Sequence, residues 1–177
     1  LKPERSKNME LGLNSNNDWG NVEFKFYKSK LTDAFKYNGD NWPLDYYEND
    51  GVVNISGAEL SLETDYLGWD VNTSLNFNKA IAESTKLQKG RRPNRSFSLN
   101  LSKSSGKWKR NINWTAHSWA WDKDNHSNGK IGGYGLLNLS ASYDFTEGLR
   151  VNLNINNALD KSYEMAKGYN TLGITST

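Results

Sequence analysis

The chain has no cysteine. Disulfide frameworks and thiolate metal sites are therefore excluded, although many exported bacterial proteins manage without either. It also lacks any run of about 18 apolar residues, which rules out a transmembrane helix. A strong charge of one sign is missing too. The formal net charge is +2, too small for an electrostatic case for nucleic acid. Leu1 opens directly into a charged stretch with no signal peptide, so the chain reads as mature, internal or cut from a longer protein. No Gly-rich phosphate loop and no Ser-His-Asp arrangement can be assembled, so the sequence does not read as an enzyme and implies no cofactor. Ala, Leu and Glu do not recur at helical spacing.

What is present is alternation. In 69–78, Trp69, Val71, Thr73, Leu75 and Phe77 share one face, and Asp70, Asn72, Ser74, Asn76 and Asn78 share the other. The same period of two runs through 95–102, 136–145 and 149–156, and it is the mark of strands. Four further strands are predicted at 5–13, 21–36, 52–64 and 107–121. The first places Met9, Leu11 and Leu13 together. The second starts with Val22, Phe24 and Phe26 and loses phase near Lys28, which predicts a bulge. This makes eight strands, with no helix and no domain boundary.

One apolar and one polar face suit a soluble sandwich and a membrane barrel alike. Low mean hydropathy does not separate them, because barrel strands alternate too. Other features favour the membrane. Segments 21–36 and 107–121 are about 15 residues long, against a globular mode of about 5–6. Connections at 14–20, 65–68, 103–106 and 146–148 are short, while those at 37–51, 79–94 and 122–135 are long and charged. Short and long alternate strictly, as periplasmic turns and extracellular loops do in outer-membrane barrels. Trp69, Trp108, Tyr143 and Phe145 lie beside short turns, and Phe35, Trp119, Trp121 and Tyr134 beside long loops. Such placement fits two interfacial aromatic bands. The Asn-rich face (Asn72, Asn76, Asn100, Asn111, Asn113, Asn138, Asn152, Asn154, Asn156) would be costly in a dry core. A watery lumen or a polar plug would satisfy it.

The alternation puts both chain ends on the long-loop side. One further strand at each end is expected, with 172–177 as the start of a closing strand. Open edges in lipid would cost several kcal/mol per unsatisfied group, so this segment is not expected to span a membrane alone.

Several strings resemble TonB-dependent receptors. Residues 1–6, LKPERS, are similar to the opening of that family's late strands. SGAE at 56–59 resembles its x-G-x-E strand. NNALDKSYE at 156–164 resembles its N-L-F-D-K-x-Y signature, and GYNTLG at 168–173 the segment before the closing strand. The set covers the whole chain in order. The family's usual Phe is replaced near Ala158 and Leu159, and its G-R before the last strand is Gly173-Ile174.

The resemblance implies an all-β, antiparallel transmembrane β-barrel, of which 1–177 is the C-terminal portion: about eight strands of a barrel of about 22. The plug domain, energy-coupling box and closing strand lie outside the chain. It implies residence in the bacterial outer membrane, with lipid and lipopolysaccharide as neighbours. The remaining strands and plug of the same receptor are implied partners, and so is the TonB energy-coupling protein. The function implied is import of a metal chelate, cobalamin or an iron siderophore. The alternatives are a passive porin-like or structural barrel, or a soluble carbohydrate-binding β-domain.

Within the family, GRR at 90–92 and DKD at 122–124 resemble strings of the cobalamin transporters. That resemblance marks Arg91, Asp122 and Asp124 as candidate substrate-binding residues, with Asn125 where a Tyr follows in those transporters. Trp121 and Tyr134, at the ends of the same loop, complete the set. Arg91, Arg92 and Arg95 also form a basic cluster suited to phosphate, or an interfacial anchor. Loop 122–128 has Ca²⁺-like spacing but no closing bidentate Glu, so it reads as a solvated loop. His117 and His126 are lone histidines, so no metal site is assigned.

Overall fold

The computed structural model describes residues 1–38, 46–49 and 51–177. The strands in chain order are β1 (Arg5–Asn17), β2 (Gly20–Thr32), β3 (Phe35–Asn38), β4 (Tyr46–Asn49), β5 (Val52–Tyr66), β6 (Trp69–Ala82), β7 (Arg95–Ser105), β8 (Trp108–His117), β9 (Ala120–Trp121), β10 (Lys130–Ile131), β11 (Tyr134–Thr146), β12 (Leu149–Asn156), β13 (Glu164–Ala166), β14 (Tyr169–Asn170) and β15 (Thr175–Ser176). Among the described residues there is no helix.

Nine strands form one antiparallel meander, β1-β2-β5-β6-β7-β8-β11-β12-β15. The remaining strands are hairpins within the long connections: β3-β4, β9-β10 and β13-β14. All eight strands expected from alternation are present, and Thr175–Ser176 adds a ninth by pairing with Ile155 and Asn156.

Boundaries differ from the sequence reading. β1 runs on to Asn17, and β2 stops at Thr32, so Phe35 belongs to a separate hairpin. β8 ends at His117, and Trp119 and Trp121 leave the sheet. The short connections are tighter than expected, at Asp18–Trp19, Leu67–Gly68, Gly106–Lys107 and Glu147–Gly148. Leu67 and Gly68 both take positive φ, the geometry that matches the twist of a two-residue hairpin. Of the expected loop 37–51, residues 39–45 and 50 lie outside the described residues.

The register sorts side chains into two faces. Rows such as Leu13–Phe24–Leu60–Leu75–Phe97–Ala116 run across the sheet on the apolar face. The other face carries rows such as Asn72–Asn100–Asn113–Asn138. There the amides bond one another: Asn111 Nδ2 donates to Asn100 Oδ1 at 2.7 Å and Asn138 Nδ2 to Asn113 Oδ1 at 3.3 Å.

Among the described residues nothing covers the apolar face. Leu11 is 64 % exposed, Phe77 49 % and Leu153 51 %. A sandwich would bury these residues under a second sheet. A single layer with large apolar side chains this open on one face fits a barrel wall with lipid as its other half.

The expected bulge at Lys28 is absent. β2 pairs with β1 and with β5 in unbroken register through that point. The chemistry of the faces changes instead. Beyond Phe26 the formerly apolar face carries Lys28 and Lys30, while the opposite face gathers Leu31, Val53, Ile55 and Ala80 with Ala34 into a small buried cluster. A face that leaves lipid no longer gains from apolar side chains, so the pattern inverts without a backbone irregularity. The one register shift in the main sheet lies between Asp144 and Thr146.

Two of the resembling strings have local physical reasons. Gly57 sits in register with Tyr27, whose ring lies where a glycine replacement's Cβ would go. Asn157 takes φ 51° and is 6 % exposed. Its side chain receives the Lys161 N–H at 2.9 Å and donates to the Lys161 carbonyl at 3.0 Å. Its own N–H donates to Asn138 Oδ1 at 2.9 Å. Asn tolerates positive φ and closes such turns better than other non-glycine residues.

Candidate functional site

The segments 83–94, 118–133 and 157–174 emerge from the same end of the sheet, opposite the two-residue turns. Each has its own fold. The first returns along β6, with Lys89 N–H donating to the Ala80 carbonyl at 2.8 Å. The second is built on the β9-β10 hairpin, closed by Asp122 N–H to the Gly129 carbonyl at 3.0 Å. The third begins at the Asn157 turn and carries β13-β14.

Asp122 ties them together. It is 4 % exposed. Its Oδ1 accepts Arg91 Nε at 3.0 Å and the Lys167 backbone N–H at 3.2 Å, and its Oδ2 accepts Asn128 Nδ2 at 2.6 Å. One carboxylate thus holds a residue from each of the three segments. Arg91 N–H also donates to the Trp121 carbonyl at 2.6 Å, and Lys167 Nζ donates to the Asn128 carbonyl at 2.8 Å. Burial raises the Asp122 pKa, but the Asn128 amide, the Lys167 N–H and the Arg91 guanidinium outweigh it and hold the carboxyl below its ordinary range.

A second tie runs beside it. Asp124 Oδ1 accepts the Gly90 N–H at 2.7 Å, and its carboxylate pairs with Lys89. Burial opposes ionisation here too, and Lys89 and the Gly90 N–H overcome it to lower the pKa. His126 Nε2 lies 2.8 Å from the Gln88 carbonyl. A carbonyl only accepts, so that nitrogen carries the proton.

Aromatic rings fill the space around these ties. Trp121 stacks on His126 with centroids 4.0 Å apart and planes 9° from parallel. Lys130 Nζ sits 3.9 Å from the Trp119 ring centroid and 5.0 Å from that of Trp121. Tyr134 packs on Tyr163 at 4.4 Å and faces His117 at 5.2 Å.

A family model described as TonB dependent receptor-like, beta-barrel, matches residues 1–158. The chain belongs to this family. The vitamin B12 transporter BtuB of Photobacterium profundum is 29% identical over 190 residues, covering 96% of this chain and 28% of its own length. Among solved structures, a mutant of the ferric enterobactin receptor PfeA from Pseudomonas aeruginosa superposes with a TM-score of 0.78 at 17% identity. It covers 99% of this chain and 30% of its own. The siderophore receptor PirA from Acinetobacter baumannii gives 0.77 at 16% identity, covering 99% and 31%. The chain spans less than a third of the length of these relatives. It is an antiparallel segment of an outer-membrane receptor barrel, and its uncovered apolar face is the lipid face.

The receptor loops bring five of the six sequence candidates together. Arg91, Trp121, Asp122 and Asp124 meet through the bonds above. Asn125 caps the same loop, its Oδ1 accepting the Ser127 N–H at 3.1 Å. Tyr134 stands apart, at the root of β11. The loop 122–128 is exposed at Lys123, Asp124, Asn125, Ser127 and Asn128, as a solvated loop is, while Asp122 at its start is buried and bonded. The basic cluster divides: Arg91 is drawn to Asp122, while Arg95 stands on the lipid face opposite Phe77. Among the described residues no group of His, Asp and Glu is placed to hold a metal. Sequence reasoning missed Lys167, Asn128 and Lys130, and treated His126 as isolated. The Trp-x-x-x-x-His spacing was the one available signal for the Trp121–His126 stack.

Proposed function

We propose that the receptor containing this chain imports a metal chelate across the outer membrane. In this reading a plug closes the barrel, the TonB energy-coupling protein opens it, and the three tied segments hold the ligand before passage. The observation that carries the reading is the Asp122 junction. A buried carboxylate that joins three otherwise separate segments gives them one shared surface, and a preorganised surface loses less entropy on binding a ligand. Arg91 is 55% exposed on its side chain, held at Nε and otherwise open. Trp121, Asn125 and Tyr134 offer stacking and amide contacts, while Asp122 acts by positioning Arg91. Within chelates, we favour a corrinoid over a siderophore, supported by the BtuB similarity across nearly the whole chain.

Equilibrium binding of cyanocobalamin and of a ferric catecholate to the full-length receptor tests this. Binding of cyanocobalamin, lost on deletion of 122–130 while the barrel still assembles, supports the corrinoid reading. Binding of the catecholate alone shifts it to a siderophore. Passage of small solutes without saturable binding of either overturns it in favour of a passive pore.

A further inference from the structure

We propose that the lipid face carries a built seat for one phosphorylated lipid of the outer leaflet, in a trough along β5. The side chains that β5 turns to this face at the upper edge of the apolar band are small, Ser56 and Ala58. Their neighbours are large. Phe26 and Phe77 flank Ala58 in one row, and Lys28 and Lys79 flank Ser56 in the next. Strands β2 and β6 stand about 10 Å apart across β5, so the small residues leave a channel between two walls. Each wall reads phenylalanine, then lysine. The groove lined by Phe26 on β2 and by Phe77 and Lys79 on β6 has a volume of about 620 Å³ and extends to Arg95 and Trp119, and the register sets Lys28 in the row above Phe26.

The order of chemistry along the trough matches a lipid. The apolar floor between the phenylalanines suits an acyl chain, and the lysine level above it suits an anionic headgroup. The two rows Lys7–Lys30–Asn54–Ile81 and Met9–Lys28–Ser56–Lys79 contain four lysines and no carboxylate. Glu83 reaches Lys30 at 3.8 Å. Among the described residues Lys28 and Lys79 have no ion-pair partner. Lys28 and Lys79 stand on either side of β5, so an anion seated between them is attracted by both. Trp119 at the end of the groove adds an interfacial ring. At this level of an outer-membrane barrel the molecules touching this face are lipids, so the occupant is a lipid phosphate and not a free one.

Native mass spectrometry of the detergent-purified full-length receptor tests the seat, using bis-phosphorylated lipid A, its dephosphorylated counterpart and inorganic phosphate as probes. The phosphorylated lipid should bind stoichiometrically. The double variant K28Q/K79Q should weaken it roughly 30-fold, from the usual contribution of two basic residues at an anionic lipid surface. Ser56→Leu, which fills the trough and keeps every charge, should weaken it as well and stands as the test if the double variant does not assemble. Lys25→Gln, on the opposite face, should change nothing. Equal retention of the dephosphorylated lipid, displacement by equimolar inorganic phosphate, or unchanged binding in K28Q/K79Q and S56L would each overturn the proposal.

Discussion

Arg91 Nε donates to Asp122 Oδ1 across 3.0 Å, joining loops 31 positions apart in the chain. The guanidinium is half exposed and the carboxylate buried. The pair therefore works asymmetrically: Asp122 is an internal brace, and Arg91 is what the brace presents.

Removing the brace should loosen all three segments together. Asp122→Ala leaves the Arg91 Nε–H, the Lys167 N–H and the Asn128 amide without their acceptor. Each unsatisfied donor costs about 1–3 kcal/mol when buried, and less where water reaches it. Hydrogen exchange in the full-length receptor should accelerate in 83–94, 118–133 and 157–174, with the strands unchanged. Acceleration confined to 118–133 would mean that Asp122 is not a shared junction.

The junction should respond to acid in one direction. The carboxyls of Asp122 and Asp124 are held below their ordinary value of 3.8. A depressed pKa stabilises the assembled form fully above the ordinary value and loses that contribution as pH falls through the lowered one. Loop protection should therefore be flat from pH 8 to about pH 5 and decline only below about 4. Asp122 should dominate the decline, because Asp124 is 44% exposed on its side chain and solvent screens its pair. A decline already complete at pH 6 would show that these two carboxylates do not hold the segments together.

The strands were legible because two solvents act on them. Lipid on one side and water on the other impose a period of two on every crossing, from Met9, Leu11 and Leu13 to Val151, Leu153 and Ile155. Legibility failed where that rule stops. Lys28 looked like a slip in register because the face had left lipid while the strand continued. The junction was illegible for another reason. Several of its bonds use main-chain groups, including the Lys167 and Gly90 N–H and the Gln88 carbonyl, and these carry no residue signature. Arg91, Asp122 and Asp124 came from family resemblance, which named the residues without revealing that they bind one another.

The two faces of β11 should respond differently to charge. Leu139 shares an apolar row with Ile112 and Ile155. Leu139→Arg should destabilise the assembled receptor by about 2–4 kcal/mol, the depth-dependent cost near the midplane. Its neighbour Asn138 is a poor control, since it accepts the Asn157 N–H. Asn72 is exposed on the polar face opposite Glu63, so Asn72→Arg should be near neutral. Urea unfolding in lipid vesicles compares the two, and equal losses would contradict the assignment of faces.

The Asn157 turn separates backbone from side-chain effects. Asn157→Gly keeps the positive φ and removes the side-chain bonds to Lys161, so it should cost about 1–2 kcal/mol locally. Asn157→Ala loses the same bonds and adds a left-handed penalty of about 1–2 kcal/mol. The alanine variant should thus be the worse of the two, read as faster proteolysis within 157–174. Equal susceptibility would show that φ 51° is not under strain for alanine there.

Gly57 and Tyr27 offer a test of packing inside the barrel wall. A methyl at position 57 meets the Tyr27 ring and the Phe77 carbonyl. Gly57→Ala alone should destabilise by about 1–3 kcal/mol, the usual cost of overpacking. If the ring supplies most of the conflict, Tyr27→Ala should relieve it, and the double variant should be more stable than the sum of the single losses predicts. Groups in direct contact couple by about 0.5–3 kcal/mol. An additive double variant would place the conflict at the Phe77 carbonyl, which no side-chain change can move. The glycine would then be required by the β5-β6 backbone approach and not by the tyrosine.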